Sequence, residues 1–219
     1  ELERRAADAV GMEAALYTPS GTMANQTAIK VHTEPGQELL LDRESHIYRW
    51  ELAGASMLSG VQTRPIDADD RCVPSPEEIT RELVSEDLHR PGTGLVALEN
   101  THNYRGGVAV PRRRLDAAAA AAHDADVPVH LDGARLFNAS VALDEPAPAL
   151  LDGVDSVTFC LSKGLGAPVG SILAGSEAFI QEARRVRKLF GGGMRQAGMI
   201  AAPGLLALEN VDRLADDHA

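Results

Sequence analysis

The segment Asp155-Ser156-Val157-Thr158-Phe159-Cys160-Leu161-Ser162-Lys163-Gly164-Leu165-Gly166-Ala167-Pro168-Val169-Gly170-Ser171 decides how this chain is read. It opens as an apolar, β-branched run, stops at Ser162-Lys163-Gly164, and gives way to a second apolar run from Gly170 to Gly175. Such short runs between glycines predict buried strands. Lys163 then stands at a strand end, in a glycine-rich turn. An ammonium there is costly unless it is paired or loses its proton. A lysine without its proton is a Schiff-base nucleophile. A solvated turn lysine is the plainer alternative, and the residue alone does not exclude it.

Outward from this segment, strand and helix patterns alternate. Strands are predicted at Glu38–Asp42, Val61–Ile66, Gly94–Glu99, Pro128–Asp132, Val154–Leu161 and Ser171–Ala174. Helices are predicted from Glu1 to Leu16, from Ser20 or Thr22 to Lys30, from Ser45 to about Leu58, from Pro76 with Ser75 as cap, from Arg112 to Asp124, and from Glu177 to Leu189. A last helix should bend at Pro203. The alternation predicts an α/β fold with a mainly parallel sheet and helices on both faces. Ligands of such sheets sit off the carboxyl ends of the strands. His46, Glu99, His102, Asp132, Arg135 and Lys163 fall at or just after those ends.

The 219 residues suffice for a sizeable core. A net charge of −11 argues against a nucleic-acid surface. No apolar run is long enough for a membrane span. Cys72 and Cys160 have no metal-type spacing, and two unlinked thiols suit a reducing cytoplasm. No metal is expected. Both ends of the chain fall inside helical patterns, which suggests a piece of a longer protein.

Each candidate has a plain reading beside a chemical one. Ser20-Gly21-Thr22 at a helix start offers backbone N–H groups and hydroxyls to a phosphate, or merely caps the helix. Asp132 ends an apolar strand; it either caps the next helix or holds a proton on a ring nitrogen. Arg135 reaches a ligand oxygen or pairs with Asp132. His46 packs flat on an aromatic ligand or only opens a helix. His102 sits in a polar loop at a strand end, where function concentrates.

Together these parts would hold pyridoxal phosphate. The segments Ser20-Gly21-Thr22-Met23-Ala24-Asn25, Leu98-Glu99-Asn100-Thr101-His102-Asn103, His130 to Ala139, Ser162 to Ser171, and Gly191-Gly192-Gly193-Met194-Arg195-Gln196 resemble those of the low-specificity L-threonine aldolases, fold-type I pyridoxal-phosphate lyases. The resemblance runs in order over essentially the whole chain. It implies the large domain of the aspartate aminotransferase type, with a mainly parallel seven-stranded sheet flanked by helices.

It also implies roles. Lys163 would carry pyridoxal phosphate as a Schiff base, Asp132 would pair with the ring nitrogen, and His46 would stack on the ring. Ser20, Gly21 and Thr22 would bind the phosphate. Arg135 would reach the ring oxygen or the substrate carboxylate. His102 would lie near the substrate hydroxyl, and Trp50 would face the substrate. Arg195 would reach a phosphate across a subunit boundary in a homodimer or homotetramer; Lys188 also matches a family position. The implied reaction is retro-aldol cleavage of L-threonine, L-allo-threonine and other 3-hydroxy-amino acids to glycine and an aldehyde. The base is left open among His102, His46 and a water. The family's N-terminal Ser-Asp-Thr segment and C-terminal small domain are missing from residues 1–219, as in a fragment. Competing readings are a β-eliminating lyase of the same fold type, a non-catalytic cofactor-binding homologue, and a cofactor-free lysine aldolase.

Overall fold

Seven strands make one sheet: β1 (Ala14–Thr18), β2 (Glu38–Asp42), β3 (Gln62–Ile66), β4 (Thr93–Glu99), β5 (Val129–Asp132), β6 (Ser156–Cys160) and β7 (Ser171–Gly175), in the order β1-β7-β6-β5-β4-β2-β3. The computed structural model describes residues 1–69 and 72–218. The central strands pair in parallel. Among the described residues β7 runs antiparallel to both of its neighbours, β1 and β6. The sheet is thus seven-stranded and mainly parallel, as expected. Every residue of β2, β4, β5 and β6 is buried, because helices cover both faces. Each fully buried leucine, such as Leu39, Leu40 or Leu131, contributes ~1.5–3 kcal/mol relative to an exposed one. The edge strand β3 tolerates Pro65, which has no ladder proton to give.

On one face, α1 (Leu2–Val10), α5 (Arg112–His123) and α6 (Leu136–Leu143) share a core that includes Ala6, Leu115, Leu131 and Leu136. On the other, α2 (Gly21–His32) and α7 (Glu177–Leu189) pack Ala24, Ala28, Phe179 and Ile180 around Leu16 and Leu173. α4 (Pro76–Glu82) begins with the expected Ser75 cap, whose hydroxyl accepts from Glu78 N at 3.2 Å. No helix among the described residues is long and apolar enough to cross a membrane.

Three expected helices are different. The first stops at Val10, where Gly11 turns left-handed at φ 68°, and Ala14–Thr18 becomes β1. Pairing with β7 outweighed the helical spacing that the sequence shows there. The helix expected from Ser45 to Leu58 breaks after α3 (His46–Trp50): Leu52 and Ala53 take φ 53° and 54°, and a separate π-helical turn covers Ala55–Ser59. The break turns Glu51 inward, onto the amides of Asn25 and Gln26. At the far end, α8 (Gly198–Ala207) contains Pro203, then passes into a 3₁₀ turn, Leu208–Arg213, and a short α9 (Leu214–Asp217).

Candidate active site

At the carboxyl ends of β5 and β6 lies a cavity of about 290 Å³. Six sequence candidates line it: Ser20, Gly21, Thr22, His46, Asp132 and Lys163. Asp132 is the last residue of β5, and Cys160 the last of β6. Beyond Cys160 the chain folds into the turn that carries the half-buried Lys163. Leu161 N and Ser162 N both donate to Gly170 O, at 3.0 and 3.2 Å, and Gly166 N donates to Lys163 O at 2.9 Å. Gly170 sits at φ 108°, and a Cβ there would lie 2.3 Å from the Tyr17 ring, so only glycine closes this turn.

The helix start of α2 forms another wall. Ser20 Oγ accepts from Met23 N at 3.2 Å, and Ser20 O accepts from Ala24 N at 3.1 Å. The first-turn N–H groups of Gly21 and Thr22 have no intrahelical acceptor and remain for an anion, which the helix dipole also favours. A Cβ on Gly21 would come 3.0 Å from Cys160 Sγ, so glycine lets α2 start close against the sheet.

The floor is acidic. Asp132 Oδ2 accepts from Asn25 Nδ2 at 2.8 Å, and Oδ1 accepts from Ala134 N at 3.1 Å. Asp132 therefore does not cap α6, whose first turn has no side-chain cap. Glu51 Oε1 accepts from the same Asn25 amide at 3.0 Å, and Oε2 accepts from Gln26 Nε2 at 2.7 Å. Glu99 accepts from the backbone N–H groups of His46 and Asn103, at 2.6 and 2.8 Å. Burial, reinforced by the charges of Glu99 and Glu51, pushes the Asp132 carboxyl up to about 7. His46 Nδ1 lies 3.1 Å from Glu51 Oε1, and that bond outweighs burial and raises the imidazole above its ordinary range. With Nδ1 held, Nε2 is the nitrogen left for a ligand.

The floor accordingly suits a ligand that brings a cationic N–H. A pyridinium nitrogen fits that requirement at Asp132, an amine-reactive carbonyl fits Lys163, and a phosphate fits Gly21 and Thr22. Ligand atoms of His46, Glu51 and Asp132 also lie within 4.8 Å of one another, as in a metal site. The amides of Asn25 and Gln26 already serve the two carboxylates, so this trio is assembled without need of an ion.

The other candidates lie elsewhere. His102 is buried, with Nε2 2.7 Å from Asp42 Oδ2, and does not line the cavity. Burial works to lower its pKa, but the Asp42 bond and the Glu99 and Asp42 charges prevail and raise it. Arg135 does not pair with Asp132: its Nη1 donates to Asn103 Oδ1 at 3.1 Å. Arg135 lines a second, larger cavity of about 730 Å³ with Asn103, Asn138 and His218. That cavity has room, and the buried Thr101 at its wall, but no buried carboxylate, lysine or histidine lines it, so the chemistry favours the smaller one. Trp50 is 56% exposed at the end of α3. Lys188 and Arg195 are exposed on either side of Gly191–Gly193.

Sequence reading assigned no role to Asn25, Glu51 or His130. Two signals were available. Asn25 follows Gly21 by four residues and so shares its helix face. His130 precedes Asp132 by two, which puts both on one side of β5. Glu51 had no such signal, since its direction depends on the break after α3.

A mainly parallel sheet with a lysine, a buried carboxylate and a helix start converging off its strand ends defines an α/β protein with a site suited to an anionic ligand. The chain belongs to the beta-eliminating lyase family, whose model matches residues 1–219. It is 45% identical over 221 residues to an Arabidopsis thaliana protein named "Probable low-specificity L-threonine aldolase 2", across 99% of this chain and 62% of that one. It is 43% identical over 219 residues to the low specificity L-threonine aldolase of Escherichia coli K12, across 99% and 65%. The solved structure of Leishmania major threonine aldolase has the same fold, with a TM-score of 0.77 at 22% identity over 91% of this chain and 58% of that one. The chain thus spans about three-fifths of the length of the curated relatives it matches.

Proposed function

We propose that this chain is the cofactor-binding part of a pyridoxal-phosphate lyase that cleaves L-threonine, L-allo-threonine and related 3-hydroxy-amino acids to glycine and an aldehyde. One observation carries the reading: Lys163, Asp132 and the Gly21–Thr22 helix start line a single cavity. The kinship with threonine aldolases supports the substrate class.

When bound, pyridoxal phosphate supplies a ring that accepts the electron pair of the broken bond. The chain's residues do the rest. Lys163 would attach the cofactor through its amine. Asp132 would keep a proton on the ring nitrogen, and Ser20, Gly21 and Thr22 would hold the phosphate. His46 would pack against the ring, and its Nε2 would take the proton of the substrate β-hydroxyl as the Cα–Cβ bond breaks. That proton would then be returned to Cα to complete glycine. Arg135, on the wall of the larger cavity, would turn from Asn103 to reach the substrate carboxylate.

We also propose assembly with further copies of the chain, with Arg195 reaching a neighbour's site. The exposure of Trp50, Leu52 and Met57, at 56%, 90% and 78%, supports a face covered by another copy. Cys72 and Cys160, both free and buried, suit a cytoplasmic setting.

The test is to load the intact protein with pyridoxal phosphate and supply L-threonine. Equal amounts of glycine and acetaldehyde are expected. The family match itself favours a second reading, β-elimination. Ammonia and a 2-oxo acid without glycine would establish that reading instead.

A further inference from the structure

Behind the acidic floor runs a line of polar groups that the proposed reaction does not use. Asn25 Oδ1 lies 3.1 Å from His130 Nε2. His130 Nδ1 lies 2.9 Å from Ser156 Oγ, and Ser156 Oγ lies 2.8 Å from His32 Nε2. The fold sets these spacings. His130 and Ser156 are paired residues of β5 and β6. Asn25 and His32 stand on α2 seven residues apart, about two helical turns, and so face the sheet together. His32 is steadied by stacking on Phe179, with ring centroids 4.6 Å apart.

The direction of every bond follows from one end. Asp132 and Glu51, when ionised, only accept. Both N–H groups of Asn25 are therefore directed at them, and Asn25 Oδ1 must accept from His130 Nε2–H. Burial pushes His130 down to about 3 and His32 down to about 4, so both rings are neutral near pH 7. A neutral His130 protonated at Nε2 has a bare Nδ1, which accepts a hydrogen bond from the Ser156 hydroxyl. Ser156 has no second proton, so His32 donates to it from Nε2. Running the chain backwards would need protons on both Asp132 and Glu51.

We propose that His32, Ser156 and His130 are positioning residues: a one-way hydrogen-bond chain that locks the Asn25 amide with both protons aimed at the buried carboxylates. By fixing Asn25, the chain favours the ionised form of Asp132 and, on the functional reading above, readies it to hold a ring-nitrogen proton. Donors that polarise one another along such a chain strengthen its last bond.

The test uses the intact protein without cofactor. Nitrogen NMR of the imidazoles at pH 7 should show His32 and His130 neutral and protonated at Nε2. Carbon NMR of Asp132 should give a higher titration midpoint in His130→Phe than in the wild type. His130→Gln, which restores an N–H to Asn25, should bring the midpoint back. Pyridoxal phosphate affinity should fall about tenfold in His130→Phe, roughly one hydrogen bond's worth, and recover in His130→Gln. An Nδ1–H tautomer at His130 or His32, or an unmoved Asp132 midpoint in a folded His130→Phe, would overturn the proposal. A wild type that shows these tautomers and shifts yet binds no pyridoxal phosphate would sink the cofactor reading and leave the chain of bonds standing.

Discussion

Asn25 Nδ2 donates to Asp132 Oδ2 over 2.8 Å, joining α2 to the end of β5 across 107 residues of sequence. The same nitrogen serves Glu51, so one amide holds two buried acids in place. Asn25→Ala leaves both a donor short. A buried acceptor that loses its partner costs about 1–3 kcal/mol, so urea unfolding of the cofactor-free protein at pH 7 should show a loss of roughly 2–4 kcal/mol. Unchanged stability would mean that the two acids do not depend on this amide.

Asp132 should leave a mark on the pH dependence of stability. Its folded pKa, about 7, lies above the ordinary 3.8. Its contribution is therefore fully present below about pH 4 and is lost as the pH rises through 7. His46, also raised, acts in the same direction at the upper end. His32 and His130, both lowered, act the opposite way below pH 6.5. The informative quantity is thus the difference between wild type and Asp132→Asn, measured without cofactor. Asp132→Asn should gain on the wild type, by on the order of 2–4 kcal/mol, between pH 4 and pH 8. A pH-independent difference would place the Asp132 pKa near its ordinary value.

The two strand-end histidines should separate in kinetics. His46 lines the cavity, whereas His102 is buried against Asp42. His46→Asn should lower kcat about 100-fold, the usual scale for losing an acid–base group. His102→Asn should lower Tm first, because it strips a buried carboxylate of its partner. If His102→Asn lost kcat as His46→Asn does while keeping its Tm, the base would be His102.

The Lys163 turn depends on Gly170 lying against Tyr17. Gly170→Ala adds a Cβ 2.3 Å from the Tyr17 ring at φ 108°. Strain and overlap together should cost about 2–4 kcal/mol in thermal melting. Tyr17→Leu in the same chain should recover part of that loss. Additive losses in the double variant would show that the ring is not the obstacle.

The sheet's interior was legible because strands buried on both faces read as unbroken apolar runs: Glu38–Asp42 appears in the fold with the bounds read from the sequence. β1 was not legible, since Ala14–Leu16 falls within a helical spacing and becomes a strand only by meeting β7. The cavity's wall residues could be read from their places at strand ends and a helix start. Of its floor, Asp132 and Glu99 could be read the same way, but the contacts of Glu51 and Asn25 could not. Glu51 turns inward only because Leu52 and Ala53 adopt left-handed conformations, and Asn25 meets His130 only once α2 lies across β5.

The central claim is that Lys163 holds pyridoxal phosphate above Asp132. The chain has only three lysines, Lys30, Lys163 and Lys188, so the attachment point can be read without ambiguity. Intact protein loaded with the cofactor, reduced with borohydride and digested, should carry the label on the Lys163 peptide alone in mass spectrometry. Label on Lys30 or Lys188, or on no lysine at all, would contradict the account.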